Sequence, residues 1–548
     1  MNICIKQISS LEKIRNKEDM NTPCITNKTI LAGECFSYQI GVFAAETTEL
    51  KLSVVSPIKE YVKLYLVKGV FADFPVYQEC CDDDFITKTP GIIPDLLVPA
   101  ETEDNSLRLS GNAESIWVEL KSPRGLAAGE YPITVCLECV GSSEAASFSQ
   151  TLKLSVLPAP LPKQETIFTQ WFHADCIADA HNVEIYSEKH WELIDKYMQM
   201  AAELGINMLL TPVITPPLDT APGAARPCTQ LVKIEKKGEK FIFDFSLLKR
   251  WIDLCRKHGI EYFEISHLFS QWGLEYSPNI RVKENGREFY MFGWDVKAAD
   301  KSYKDFLESL LPELTAFLKS EGIADKCYFH ISDEPKIQHI DAYRYAYNLV
   351  KPMLEGFKTM DALSNLEFFK SGLVPTPVTS SNHIEPFLEY GVDNQWVYYC
   401  CAQHTKVGNR FIAMPSYRNR ILGLQIYKFG IKGFLQWGYN FYYCSLSRFA
   451  VNPYINTSCN KAYPSGDAFS VYPGTDGPLP SLRALIFREA LQDIEICRML
   501  ERLIGRDAVI EMIDKEAGMN LTFSEYPRNS SFIPNLIEKM EKMIKERL

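Results

Sequence analysis

Lys326-Cys-Tyr-Phe-His-Ile-Ser-Asp-Glu-Pro335 is an apolar, aromatic run that stops at two adjacent acids. A short apolar run of this kind reads as a strand buried on both faces, and such strands belong to parallel sheets covered by helices. Helical patterns flank it at about 302–320 and 337–354. Moving outward, the alternation repeats. Upstream, strand patterns at 167–171, 206–214 and 261–268 are separated by helical patterns at about 188–204 and 246–257. Downstream, strand patterns at 358–362, 377–380, 395–400 and 433–437 lead to a helix at about 481–500. Repeated β/α alternation implies a parallel sheet. About eight units predict a (β/α)8 TIM barrel over residues 161–505, with its chemistry on the loops after the strand ends. Residues 231–245 read as an inserted hairpin turning at Lys236-Lys-Gly-Glu239, and a long loop follows 268. An open doubly wound sheet is the alternative, but no G-x-G-x-x-G follows a strand and no G-x-x-x-x-G-K-[ST] occurs.

Residues 1–160 read differently. Short strand patterns at 50–55, 62–67, 115–120, 131–139 and 148–156, with turn signals at Ser122-Pro-Arg-Gly125 and Ala128-Gly-Glu130, predict an N-terminal β-sandwich. Leu157-Pro-Ala-Pro-Leu-Pro162 then reads as a stiff linker that breaks any regular element. Residues 506–548 read as a C-terminal helical segment packed on the barrel.

Composition excludes several functions. A net charge of −11 gives no clustered basic surface for nucleic acid. No run approaches 18 uninterrupted apolar residues, so no membrane partner is expected. The first ten residues lack the apolar stretch of a secretory signal. A cytoplasmic protein is expected, with oligosaccharides or small glycosides within its reach. The 16 cysteines form no spaced framework and read as free thiols. No cofactor is implied.

The two acids have the residue types that glycosidic cleavage needs: one group to protonate the leaving oxygen, another to stabilise the cationic sugar. Pro335 is expected to hold Glu334 extended, so that Asp333 and Glu334 project differently from one strand end. The alternative is structural: Asp333 caps the helix near 337 and Glu334 faces solvent. Trp171-Phe-His-Ala-Asp175 closes the first strand, placing His173 and Asp175 on one face if the chain stays extended. They can hold sugar hydroxyls or simply pair with each other. Two ligand types without an H-E-x-x-H make a metal site unexpected. Trp437-Gly-Tyr-Asn440 closes the last strand, with Trp437 and Tyr439 as an aromatic platform. Trp272 beside Gln271, Asn382 and His383 in Ser381-Asn-His383, and Tyr398-Tyr399 also end strands, and together these would line one mouth.

These stretches carry a family resemblance. Trp171-Phe-His-Ala-Asp175, His330-Ile-Ser-Asp-Glu-Pro335, Gly433-Phe-Leu-Gln-Trp-Gly-Tyr-Asn440, Tyr472-Pro-Gly, Ser481-Leu-Arg483 and Arg488-Glu-Ala-Leu-Gln-Asp493 resemble glycoside hydrolase family 123. They also resemble its large relative, a C-terminal catalytic domain long without an assigned function. The resemblance implies an exo-acting β-N-acetylgalactosaminidase with substrate-assisted retention through an oxazolinium intermediate. Asp333 would then hold the acetamido N–H and rest ionised. Glu334 would rest protonated and serve the leaving group. His173, Asp175, Trp272, His330, Asn382, His383, Tyr399, Trp437 and Tyr439 would contact sugar. The partner implied is a glycoside with a terminal N-acetylhexosamine. A carbohydrate-binding protein that lost the chemistry, a glycosidase of other specificity and a metal-dependent hydrolase stand as alternatives. Oligomeric state is not legible.

Overall fold

The computed structural model describes residues 3–140 and 146–548. Its first part is two five-stranded sheets. One orders Ile3–Ser9, Cys35–Ala44, Ala113–Lys121, Val62–Ala72 and Gly91–Pro99, all antiparallel. The other orders Asn27–Ala32, Ser147–Pro160, Gly129–Cys139, Thr48–Val55 and Ser106–Leu109, with only its first pair parallel. Alternate residues of both sheets, among them Ile40, Val118, Val135 and Leu154, meet in one apolar core, which is the period-2 burial a half-covered sheet requires.

The proline-rich stretch is not a break. Strand Ser147–Pro160 runs through Pro158 and Pro160. Its ladder to Asn27–Ala32 shifts register between Val156 and Pro160. Prolines are tolerated at such an irregularity because no ladder donor is asked of them. Leu161 then donates its N–H to Ala32 O at 2.9 Å.

From Ile167 the chain forms a closed barrel of eight parallel strands. In order these are Ile167–Gln170, Met208–Thr211, Tyr262–Ile265, Cys327–His330, Lys358–Leu363, Thr376–Ser380, Trp396–Tyr398 and Gly433–Gln436. Helices occupy the connections, including Glu188–Glu203, Ser246–Lys257, Lys301–Ser320 and Leu482–Ile504. The hairpin expected after the second strand is present as Lys233–Lys237 and Lys240–Asp244. The segment expected as loop after the third strand supplies two more strands, Ile280–Glu284 and Arg287–Phe292, which complete a four-stranded sheet with that hairpin. Among the described residues, no helix is long and apolar enough to cross a membrane.

The first sheet lies against the barrel through buried charges. Asp95 accepts two bonds from Arg483, at 2.7 and 2.9 Å, and the Tyr472 hydroxyl at 2.6 Å. Glu119 pairs with Arg488 at 2.7 Å. Helix Phe532–Lys545 returns to strand Asn27–Ala32, where Lys28 meets Glu541 at 2.5 Å.

Candidate active site

A cavity of about 650 Å3, open to solvent, lies beyond the C-terminal ends of the barrel strands. Trp171, Ala362, Tyr398, Leu435 and Trp437 line it from the strands and their first following residues. Leu218 and Asp219 enter from the loop after the second strand, and Gln271 and Trp272 from the loop after the third. Asp333 and Glu334 follow the fourth, Cys400 and Cys401 the seventh, and Tyr463 comes from the long loop after the eighth.

The acid pair is held from several directions. Asp333 is 5% exposed, and its Oδ2 accepts Gln271 Nε2 at 3.2 Å. Its backbone carbonyl accepts the Trp272 N–H at 3.0 Å. Glu334 Oε1 accepts the Tyr398 hydroxyl at 2.7 Å. Glu334 is not extended, contrary to expectation: its φ is 45°, in the left-handed region. Proline at 335 disfavours right-handed helix for its predecessor, and here the chain takes the left-handed alternative. Non-glycine residues seldom adopt it, and such strain concentrates at functional sites. Asp333 does not cap a helix either, because the short turn Ile337–His339 starts from Lys336 without a capping bond from Asp333.

Burial first, and then the neighbouring Glu334 carboxyl, push the Asp333 carboxyl well above the usual carboxylate range. That direction runs against the expectation of an ionised Asp333.

Behind the pair lies a buried ion triad. His330 Nδ1 meets Asp361 Oδ1 at 2.9 Å, and Nε2 meets Glu264 Oε1 at 2.6 Å. Burial alone would lower the His330 pKa. The bonds to Asp361 and Glu264 outweigh it and raise the value to about 10, so His330 is a cation. Glu264 also accepts Trp171 Nε1 at 2.6 Å and the Thr169 hydroxyl at 2.7 Å. Asp361 accepts the Tyr343 hydroxyl and the N–H groups of Ile331 and Ser332, both at 3.3 Å. The triad therefore anchors the strand end from which Asp333 and Glu334 depart. His330 itself does not line the cavity.

His267, His330 and Asp361 bring potential ligand atoms within 4.8 Å of one another. However, the two imidazoles stack at 4.1 Å and 22°. Their lone pairs lie in nearly parallel, separated planes, so one cation cannot sit in both. These residues fit a metal poorly. Burial, and then the His330 cation, hold the His267 pKa well below its ordinary value.

Several expected sugar contacts lie elsewhere. His173 and Asp175 do not share an extended face, because helix Ala174–His181 begins between them. Both turn into the wall, where Arg226 donates to both Asp175 oxygens at 2.7 and 2.8 Å and to His173 Nδ1 at 3.1 Å. His173 Nε2 then donates to Trp437 O at 3.0 Å. Burial, and then Arg226, push the His173 pKa down to about 3, which keeps the ring neutral. Tyr399 points away from the cavity onto Phe434, at 4.9 Å between ring centroids, while its neighbour Tyr398 points in. Tyr439 stacks on Phe172 and donates to Tyr197 O at 3.0 Å, fully buried. Asn382 and His383 form an exposed turn that does not reach the cavity. There Asn382 Oδ1 accepts Gln403 Nε2 at 2.9 Å and His383 Nδ1 meets Ser380 Oγ at 3.1 Å. Trp272 and Trp437 do line the cavity, with Trp437 Nε1 fixed on Asp467 at 2.9 Å.

The model of the glycoside hydrolase 123 catalytic domain matches residues 171–500, and so spans every cavity residue. The chain belongs to glycoside hydrolase family 123. Among solved structures, a family 123 glycoside hydrolase from Clostridium perfringens, studied for glycolipid glycan hydrolysis, is similar at 16% identity and a TM-score of 0.73. That likeness covers 100% of this chain and 98% of the other, and it concerns the fold. A β-glucuronidase from Parabacteroides merdae covers 90% of this chain and 52% of its own at 10% identity, but its TM-score of 0.30 carries no argument. No curated protein matches. Family 123 membership makes the chain a glycoside hydrolase, and the acid pair lies on the wall of the cleft at the strand ends.

Proposed function

We propose that this family 123 enzyme removes a terminal β-linked N-acetylhexosamine, with N-acetylgalactosamine the first candidate, by substrate-assisted retention. In this reading residues 161–505 act as a (β/α)8 catalytic barrel, residues 1–160 form a separate β-domain and 506–548 a helical segment. Asp333 and Glu334 are the catalytic residues. The observation that carries the reading is that the two carboxyls are sequence neighbours held apart by separate partners, Gln271 and Tyr398. When the nucleophile is the substrate's own acetamido oxygen, no enzyme carboxylate has to stand across the ring from the acid.

The proton follows from the electrostatics. Burial and the neighbouring carboxyl disfavour the Asp333 anion when no substrate group donates to it. An acetamido N–H donated to Asp333 supplies the stabilisation its anion otherwise lacks. Asp333 then ionises, and the proton goes to Glu334, where the leaving oxygen needs it. After cleavage Glu334 takes a proton from the attacking water. The Tyr398 hydroxyl steadies Glu334 in both roles. Trp437 and Trp171 present faces or edges to the sugar C–H groups.

The test is hydrolysis of p-nitrophenyl β-glycosides of N-acetylgalactosamine, N-acetylglucosamine and galactose. Turnover of the two acetamido sugars is expected. Turnover of galactoside alone would remove the substrate-assisted mechanism.

A further inference from the structure

The loop after the second barrel strand carries an acid that the catalytic pair does not use. Thr215-Pro-Pro-Leu-Asp219 delivers Asp219 to the cavity wall. Asp219 is 7% exposed. Its Oδ1 accepts the Tyr463 hydroxyl at 3.0 Å, whereas its buried Oδ2 has no partner among the described residues. A buried carboxylate oxygen that nothing donates to is costly. Burial accordingly pushes the Asp219 carboxyl above its usual range.

The backbone repeats the message. Asp219 has φ 41°, a left-handed conformation that side chains rarely adopt. Surrounding bonds enforce it. Its N–H donates to Gln271 Oε1, and its carbonyl accepts the Ser447 hydroxyl at 2.6 Å. Arg226 holds the preceding carbonyl, that of Leu218, at 3.4 Å. Gln271 uses its other end, Nε2, on Asp333. A single amide therefore sets Asp219 relative to the catalytic pair. The nearby Arg226 guanidinium is committed to Asp175. Asp219 thus joins a strained backbone to a carboxylate oxygen that the described residues leave unpaired, on the wall of the cavity.

We infer that Asp219 accepts a hydroxyl of the terminal sugar and thereby sets which hydroxyl pattern the cavity takes. This rests on the glycoside hydrolase reading of the same cavity. A site that hydrogen-bonds a substrate hydroxyl discriminates strongly against the analogue lacking it, because its own buried group is then left unpaired.

The experiment is a cycle of protein and substrate changes. Wild type, Asp219→Asn and Tyr463→Phe are assayed on the p-nitrophenyl N-acetylhexosaminide and its 3-, 4- and 6-deoxy analogues. Asparagine tolerates left-handed backbone, so the first variant is expected to fold, and its Tm checks that. In wild type one deoxy position should cost about 10- to 100-fold in kcat/KM. In Asp219→Asn that penalty should fall below about three-fold while the others persist, and Tyr463→Phe should weaken the same position. Unchanged penalties at all three positions in Asp219→Asn would overturn the inference. So would a uniform collapse of activity with the penalties intact, which would show that Asp219 does not read the hydroxyl pattern. If wild type hydrolyses only sugars lacking the acetamido group, the N-acetylhexosamine reading falls, and the same cycle on that sugar decides Asp219. If it hydrolyses none, calorimetric binding of the free sugars and their deoxy forms decides it, and absence of binding to wild type overturns it.

Discussion

At the scale of single residues, the two acids should answer differently to substitution. In the proposed mechanism Glu334→Gln removes the proton donor and should cost about 10²- to 10⁴-fold in kcat on a poor leaving group. The loss should shrink on a nitrophenolate, which needs no proton. Asp333→Asn should lose about 10²- to 10³-fold on both, since stabilisation of the intermediate does not depend on the leaving group. Equal leaving-group dependence in the two variants would refute the division of roles. Stability should move the other way. Asp333 has its carboxyl raised in the folded state, so it costs nothing below its unfolded value and an increasing amount as pH rises above it. The Tm of Asp333→Asn should therefore exceed that of wild type at pH 8, and the gap should close towards pH 4. The acid pair and the two tryptophans were legible in the sequence as residues at strand ends. Tyr398 was not separable from Tyr399, because neighbours in a strand face opposite sides and nothing local fixes which side is inward. Tyr439 was misplaced because the chain stops being extended after Gln436. Gly438 there packs so closely on the Ala468 backbone that a Cβ would come within 2.2 Å of it. Asp219 sits in a proline-rich loop with no periodicity, and its value lies in bonds from Ser447 and Tyr463, more than 200 positions away.

At the scale of elements, the fourth barrel strand depends on the fifth. Asp361 holds the amides of Ile331 and Ser332 and shares the His330 cation with Glu264. Removing one partner of a buried ion group costs about 3–5 kcal/mol. Asp361→Asn should lower the Tm accordingly and should lower kcat as well, because the strand end bearing Asp333 loses its anchor. A destabilised variant with wild-type kcat would show that the anchor serves the fold alone. His330 adds a pH signature. Its folded pKa of about 10 lies above the unfolded value, so its contribution is complete below about pH 6.5 and is lost progressively as pH rises to 10. In Asp361→Asn, denaturant titrations should show that loss starting from the same pH but smaller and complete at lower pH. All eight barrel strands were legible as short apolar runs, but helical patterns were legible only after the first four and the last. The strands Ile280–Glu284 and Arg287–Phe292 were not. Most of their side chains are exposed or half-exposed, which mutes any hydrophobic alternation, and one of them pairs with a strand more than 40 positions earlier.

At the scale of the whole molecule, the sheets and the barrel share their charges. Asp95 and Glu119 come from the first sheet, whereas Arg483 and Arg488 come from the helix that follows the eighth barrel strand. All four are buried. A chain of residues 161–548 alone would leave both guanidiniums without their carboxylates, and it should be insoluble or molten. Asp95→Asn in the full chain should cost about 3–5 kcal/mol, again as a broken buried pair. Calorimetry of the full chain should give one endotherm, and two well-separated endotherms would show the parts to be independent. The Lys28–Glu541 pair extends the same dependence into time. Its partners are 513 residues apart. At about 5–20 residues per second, a ribosome takes from roughly half a minute to nearly two minutes between adding one and the other. Throughout that interval the second sheet has its outermost strand in hand but not the helix that covers it. The nascent chain thus presents an uncovered sheet margin for most of its own synthesis, and its yield in cells should depend on holding chaperones more than its final stability would indicate.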